Sequence, residues 1–363
     1  MKRIVFTVTN DLSYDQRMQR ICTSLVKAGY EVLLIGRRLK NSLPLKQESF
    51  RQKRLRCFFN KKFLFYTEYN LRLFFYLLFI RMDAMCAVDL DTILPCLFVS
   101  SLRNKKRIYD AHELFTEMKE VITRPGIKKM WLRIEKYAVP KFAKGYTVSL
   151  SIADELKRRY NVSYAVIRNL PLHRPLVKAI AKEKIILYQG AVNEARGLEN
   201  LIEAMQQVNA TLHIYGDGNI YREIKALVSQ TKQEHKIFLK GKVLPEELQA
   251  ITGQAYIGIN LVEPLGLNQL YSLSNKFFDY VEAGIPQLTM NFPEYKKINE
   301  LFHVAVLADT IETNEIAEKL NLMLSDPVLY ERIKNNCLHA REVLHWEEEE
   351  RKLVSFYNNF FST

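Results

Sequence analysis

The chain is predicted to be an α/β protein of two domains, each built on a doubly wound parallel sheet. Three observations predict this. At 363 residues it is too long for one ordinary core and suits two, of roughly 170–190 residues each. Short apolar segments recur along it, each followed by a loop and a helical pattern, the order of strand–helix–strand units. Charge is unevenly divided: residues 1–180 hold 35 Lys and Arg against 15 Asp and Glu, and the remainder holds 18 against 25. One half is therefore strongly basic and the other acidic, as expected of two domains with different partners.

Composition narrows the class. Hydrophobic residues make up 48% of the chain, enough to rule out a disordered protein. Cys22, Cys57, Cys86, Cys96 and Cys337 are scattered and lack CxxC spacing, which reads as reduced thiols of a cytoplasmic protein and not as a disulfide frame or zinc site. The opening MKRIVFTVTND is a first strand, not a signal peptide, because Asn10 and Asp11 end its apolar run.

In order, Lys2 to Thr9 is a buried strand, TNDLSYDQRMQR a loop entering a helix that ends near Gly29, and Tyr30 to Gly36 a second strand. That first loop lacks GxGxxG, so it is no ordinary dinucleotide fingerprint. Between Arg37 and Lys62 lie ten basic residues and one acid, Glu48, expected to form a solvated basic loop. The aromatic stretch FLFYTEYNLRLFFYLLFI follows, interrupted by Glu68, Asn70 and Arg72, and its eight-residue apolar run is too short to span a bilayer. It reads either as a core helix or as a helix at a membrane interface. Ala84 to Val88 is a strand ending in Asp89-Leu90-Asp91-Thr92. The paired carboxylates invite a metal–diphosphate reading, but Thr92 and Pro95 suit the cap and first turn of the next helix, so no metal site is expected.

Lys106 to Tyr109 is a strand running into Asp110-Ala111-His112-Glu113-Leu114. This places His112 at the carboxyl edge of a sheet, where open α/β folds hold ligands. HEL here is not the zinc motif HExxH, since position 116 is Thr. Gly145 to Ser151 and Ala165 to Arg168 complete the first sheet, and NLPLHRPLVKAIAKEK, with two prolines, is the linker. The second series begins with IILYQG, continues through LHIYGDG and Tyr256 to Leu261, and reaches YSLSNKFFDYVEAGIPQLTMN, residues 271–291. There Ser272, Ser274 and Asn275 are expected to cap a helix with side-chain oxygens, and Gly284 and Pro286 to end it. The N–H groups and dipole at its start suit a diphosphate, Lys276 adds charge, and Asp279 is placed to accept from paired ribose hydroxyls.

SLSNKFFDYVEAGIP resembles the S-x-P-N-K…E-Y-x-x-x-G-x-P signature of retaining GT-B glycosyltransferases of family four, the glycosyl transferases group 1 type. DAHEL, the Arg196-Gly197 turn and GDG are similar to its other motifs and occur in the same order. The resemblance implies a GT-B fold, two Rossmann-like domains facing across a cleft. Residues 1–170 would form the acceptor side, 171–184 the linker, 185–342 the nucleotide-sugar domain, and 343–363 a helix crossing back to the first domain. It also implies that Arg196, Ser274, Asn275, Lys276, Asp279, Gly216 and Gly218 bind the donor, and that His112 acts catalytically beside the donor sugar. Asn10, Asp15, Arg17 and Glu263 are weaker candidates at the cleft; for the first three a solvated loop is an equal reading. Tyr271 stands where many members carry a second Glu, and Ala191 where they often carry Arg.

The function implied is retaining, metal-independent and cofactor-free transfer of a sugar from a UDP- or GDP-type nucleotide sugar. The acceptor would be a hydroxyl of a glycan or lipid-linked molecule, in surface polysaccharide or glycolipid synthesis. The basic half adds an anionic membrane surface as a partner, on the inner face of the plasma membrane. Two rivals are a nucleotide-sugar 2-epimerase of the same fold and a non-catalytic nucleic-acid binder. No nucleic-acid motif supports the second, and no nucleic-acid partner is expected.

Overall fold

The computed structural model describes residues 1–13, 15–176 and 183–362, apart from the side chains of residues 62, 245 and 246. Residues 177–182 of the expected linker lie outside the described residues. The chain divides into two compact units, Met1–Arg168 with Glu349–Thr363, and Asn169–Glu348.

The first unit runs β1 (Arg3–Thr7), α1 (Gln16–Lys27), β2 (Glu31–Arg38), β3 (Arg51–Arg56), α2 (Lys62–Phe79), β4 (Ala84–Val88) and α3 (Ile93–Leu102). It continues with β5 (Lys106–Ala111), α4 (Lys119–Ile122), α5 (Pro125–Ala138), β6 (Gly145–Thr147), α6 (Leu150–Tyr160) and β7 (Ala165–Val166). The strands form one parallel sheet in the order β3-β2-β1-β4-β5-β6-β7, with Ile4 set between Val32 and Ala84. Central strands such as β4 are buried on both faces, as parallel sheets covered by helices require.

The second unit repeats the plan with β8 (Ile185–Gln189), α7 (Leu198–Ala204), β9 (Thr211–Tyr215), α8 (Tyr221–Gln230), β10 (Ile237–Gly241), α9 (Pro245–Thr252) and β11 (Ile257–Asn260). Then come α10 (Leu267–Tyr271), α11 (Asn275–Glu282), β12 (Gln287–Met290), α12 (Pro293–Phe302), β13 (Ala305–Ala308), α13 (Thr313–Ser325) and α14 (Pro327–Ala340). Its parallel sheet has the order β10-β9-β8-β11-β12-β13. In both sheets the winding reverses beside the first strand, at β1/β4 and at β8/β11. The carboxyl ends of those strands open a crevice where doubly wound folds bind ligands.

The last helix, α15 (Trp346–Ser362), belongs to the first unit from Glu349 onward. There Tyr357 is fully buried among Phe6, Tyr30 and Tyr146, and the Tyr30 hydroxyl donates to Asn358 Oδ1 at 2.6 Å. Two local expectations are corrected. The basic segment is not all loop: RQKRLR is the edge strand β3, paired with β2 from Leu33–Arg51 to Arg38–Arg56. Thr92 precedes α3, yet its hydroxyl bonds Thr7 and Val88 carbonyls instead of capping the helix.

Candidate functional site

Helix α11 is fixed to the strand ends of the second sheet by buried polar contacts. Gly258 in β11 leaves room for the Tyr280 ring, which would lie 2.5 Å from a Cβ there. The Tyr280 hydroxyl then reaches the Leu187 carbonyl at 3.0 Å, and Gln287 donates to the Phe277 carbonyl at 2.9 Å. Phe277, Phe278 and Val281 fill the core beneath. Such packing holds the start of α11 at the switch point with little freedom.

Ser274 occupies the N-cap position, but no side-chain cap bond is made, which corrects the expected capping. Its hydroxyl donates to Asn260 Oδ1 at 2.7 Å, and its backbone N–H donates to the Tyr295 hydroxyl at 2.9 Å. Asn260, fully buried at the end of β11, holds that hydroxyl as a donor, and no helix N–H reaches the Ser274 oxygen. Ser272 bonds the Gln269 carbonyl, and Asn275, exposed, accepts from Asn169 at 2.7 Å.

Lys276 points the other way, into the protein. It is 9% exposed, its amine sits 4.1 Å above the Tyr188 ring, and Nζ has no hydrogen-bond partner. Burial first, and the Arg196 guanidinium second, hold its pKa well below the ordinary lysine value. Tyr188 is itself pushed up to about 12 by burial, and its hydroxyl is occupied by the Ala191 carbonyl at 2.6 Å.

Arg196 lies in the turn between β8 and α7, flanked by Ala195 and Gly197, both at φ 63°. The Glu263 N–H donates to the Ala195 carbonyl at 3.1 Å, so the loop after β11 is tied to this turn through backbone. Asp279 Oδ2 accepts from Gln189 Nε2 at 3.2 Å, and Gln189 Oε1 accepts from Thr252 at 2.7 Å. Gly216 and Gly218 have a visible local role. A Cβ on Gly216 would lie 1.7 Å from the Gly190 carbonyl oxygen, and one on Gly218 would lie 2.1 Å from that of Val192. Their lack of side chains lets the two loops lie backbone to backbone.

The structure thus brings Arg196, Lys276, Asp279, Glu263 and the glycine loops to one edge of the second sheet. Gln189, Asn260, Tyr188 and Tyr295 complete it and were not singled out in the sequence. The available signal was a polar residue ending each buried strand, Gln189 in IILYQ and Asn260 in IGIN.

In the first unit, Arg17 makes a bidentate pair with Asp110 at 2.6 and 2.7 Å, the side chains 7% and 0% exposed. Desolvation opposes its charge, but the Asp110 carboxylate wins and holds the Arg17 pKa above the ordinary value. Asp15 caps α1 by accepting from the Met18 N–H at 2.9 Å, and Asn10 bonds Asp15. His112 Nδ1 lies 3.9 Å from Asp89, and Asp89 accepts the Glu113 N–H at 3.1 Å. Desolvation and then Arg17 push the imidazole below the usual histidine value. Water at its exposed edge, 37% of the side chain, tempers that shift, and the ring is neutral at neutral pH. Asp91 accepts from Thr9, and burial pushes its pKa up to about 6. Among the described residues no group of His, Cys, Asp and Glu is arranged to hold a metal ion.

Residues 174–339, nearly all of the second unit, match the family model described as "Glycosyl transferases group 1". The second unit is similar to that family over this span. Curated protein sequences give no match to the chain. Solved structures match over the whole length. Sucrose-phosphate synthase from Thermosynechococcus elongatus is 16% identical with a TM-score of 0.81, covering 100% of both chains. HepE of Anabaena, in complex with UDP and glucose, is 11% identical with a TM-score of 0.77, covering 99% of this chain and 100% of that one. A TarM mutant of S. aureus, in complex with fondaparinux, alpha-GlcNAc-glycerol and UDP, is 12% identical with a TM-score of 0.73, covering 100% of both. Both sheets therefore match the GT-B fold.

Proposed function

We propose that the protein is a retaining glycosyltransferase that takes a sugar from a nucleotide diphosphate sugar of UDP or GDP type. The acceptor is a hydroxyl of a glycan or lipid-linked molecule. One observation carries this reading: the buried, unpartnered amine of Lys276, held under the influence of Arg196 at the carboxyl edge of the second sheet. Two basic side chains and the start of a helix suit a diphosphate, whose negative charge would favour the protonated form of Lys276. As the glycosidic bond breaks, charge grows on that diphosphate, and fixed cations stabilise it with little reorganisation. Arg196 and Lys276 would supply this stabilisation without a metal. Asp279, three residues along α11 from Lys276, would receive the ribose hydroxyls.

HepE was solved with UDP-glucose, which favours a UDP-type donor by analogy. His112, neutral beside Asp89, would act on the sugar and not on the diphosphate. The test is a thermal-shift screen against UDP, GDP and their common sugars, followed by proton NMR of the product's anomeric coupling. Stabilisation by one nucleotide series and retention at the anomeric carbon are expected. Indifference to every nucleotide contradicts the reading, and conversion of UDP-GlcNAc to its C2 epimer without an acceptor assigns the protein to a nucleotide-sugar 2-epimerase.

A further inference from the structure

Helix α2 is apolar on both faces. Phe65, Tyr69, Leu73 and Leu77, four residues apart, form its buried stripe. On the opposite face Phe63, Leu64, Leu71, Phe75 and Phe79 are each more than half exposed. A helix apolar all round is ordinarily buried all round, and this one is not. The acid among the outward residues is neutralised locally. Glu68 accepts the backbone N–H groups of Phe58 and Phe59 and pairs with Arg72 at 2.8 Å. That arrangement pins Phe58, 85% exposed, beside the helix with the Arg72 guanidinium 5.2 Å over its ring.

Next to the end of α2 lies a groove of about 330 Å³, lined by Arg3, Arg51, Lys53, Tyr76 and Arg81. Glu31 neutralises Arg3 and Arg51 in part. Lys53 and Arg81 have no carboxylate at ion-pair distance among the described residues, and Lys53 approaches only the Tyr76 ring, at 6.0 Å. Cations on the edge strand β3 are explained in part by the need to discourage strand pairing. That need does not explain an exposed aromatic face beside them.

We propose that this face of the first unit, the outward side of α2 with the groove of Lys53 and Arg81, docks on an anionic lipid surface. The charge complementarity is direct: the groove takes phosphate headgroups, and the phenylalanines enter the interface between headgroups and acyl chains. Among the described residues no helix is long and apolar enough to cross a membrane, so the contact is peripheral. The inference stands apart from the donor reading, since none of its residues belongs to the second unit.

Vesicle sedimentation tests it with the full chain, using phosphatidylcholine vesicles with and without phosphatidylglycerol at low and high salt. Binding is expected only to the anionic vesicles and is expected to weaken at high salt. Phe75→Ser with Phe79→Ser, and separately Lys53→Glu with Arg81→Glu, are each expected to weaken binding by about tenfold or more. Lys144→Glu with Lys157→Glu makes the same charge change toward the other edge of the sheet and is expected to keep most of the binding. Loss of binding equal to that of the groove variant would overturn the proposal in favour of diffuse attraction to a basic domain. Absence of binding to anionic vesicles at low salt would overturn it outright. A dimer in sedimentation velocity that Phe75→Ser with Phe79→Ser abolishes, without vesicle binding, would instead make the face a contact between copies.

Discussion

The amine of Lys276 stands 4.1 Å above the ring of Tyr188 with no oxygen within hydrogen-bonding reach. The contact is favourable but does not replace the hydrogen bonds the amine loses on leaving water. Folding therefore favours the neutral amine, and a bound anion favours the charged one. Nucleotide binding above neutral pH should then take up a proton. Calorimetry with UDP at pH 8 in buffers of different ionisation enthalpy should show this uptake in the parent and not in Lys276→Met. The same substitution should raise the stability of the free protein by about 1–3 kcal/mol, by removing an unsatisfied buried group. The sign follows from linkage: with the folded pKa lowered, stability rises with pH up to the unfolded value, and Met removes that dependence.

Arg17 and Asp110 make a pair whose value lies in its completeness. Arg17→Met leaves the Asp110 carboxylate buried and unpaired, and should cost about 3–5 kcal/mol in urea unfolding. Arg17→Met with Asp110→Leu should recover much of that loss. A single variant as stable as the parent would show that the pair contributes nothing to holding α1 against β5.

Much of this arrangement was legible in the sequence, and the failures have physical causes. The strand–helix alternation and the run from Ser272 to Gly284 were readable because apolar period and end residues agree there. Edge strand β3 was not, because RQKRLR carries cations on both faces and shows no apolar alternation. The expected cap at Ser274 failed because Asn260, fourteen residues earlier, competes for its hydroxyl. The isolation of Lys276 was invisible: a lysine at a helix start reads as solvated until packing turns it inward.

Asp91 gives a pH-dependent test. Burial raises its pKa to about 6 in the fold, above the unfolded value near 3.9. The folded protein thus keeps a proton that the unfolded chain releases, and stability falls as pH rises from about 4 to 6. Asp91→Asn removes this dependence. Relative to the parent, it should gain about 2–3 kcal/mol between pH 4 and pH 7 in denaturant titrations. Parallel profiles would mean that the carboxylate is hydrated.

His112 lies in the first unit beside Asp89, whereas the residues assigned to the diphosphate belong to the second. His112→Ala should lower transfer turnover by at least about tenfold through lost positioning, while nucleotide affinity stays within about twofold of the parent. Equal losses in both measurements would make the ring a structural element of the first unit.

The most direct test of the donor site is a calorimetric titration of the full chain with UDP and GDP, repeated on Arg196→Ala and Asp279→Asn. Each substitution removes a charge-assisted contact, and the account predicts about 1.5–3 kcal/mol of lost binding for either, with the unfolding transition preserved. Nucleotide affinity unchanged in both variants would contradict it.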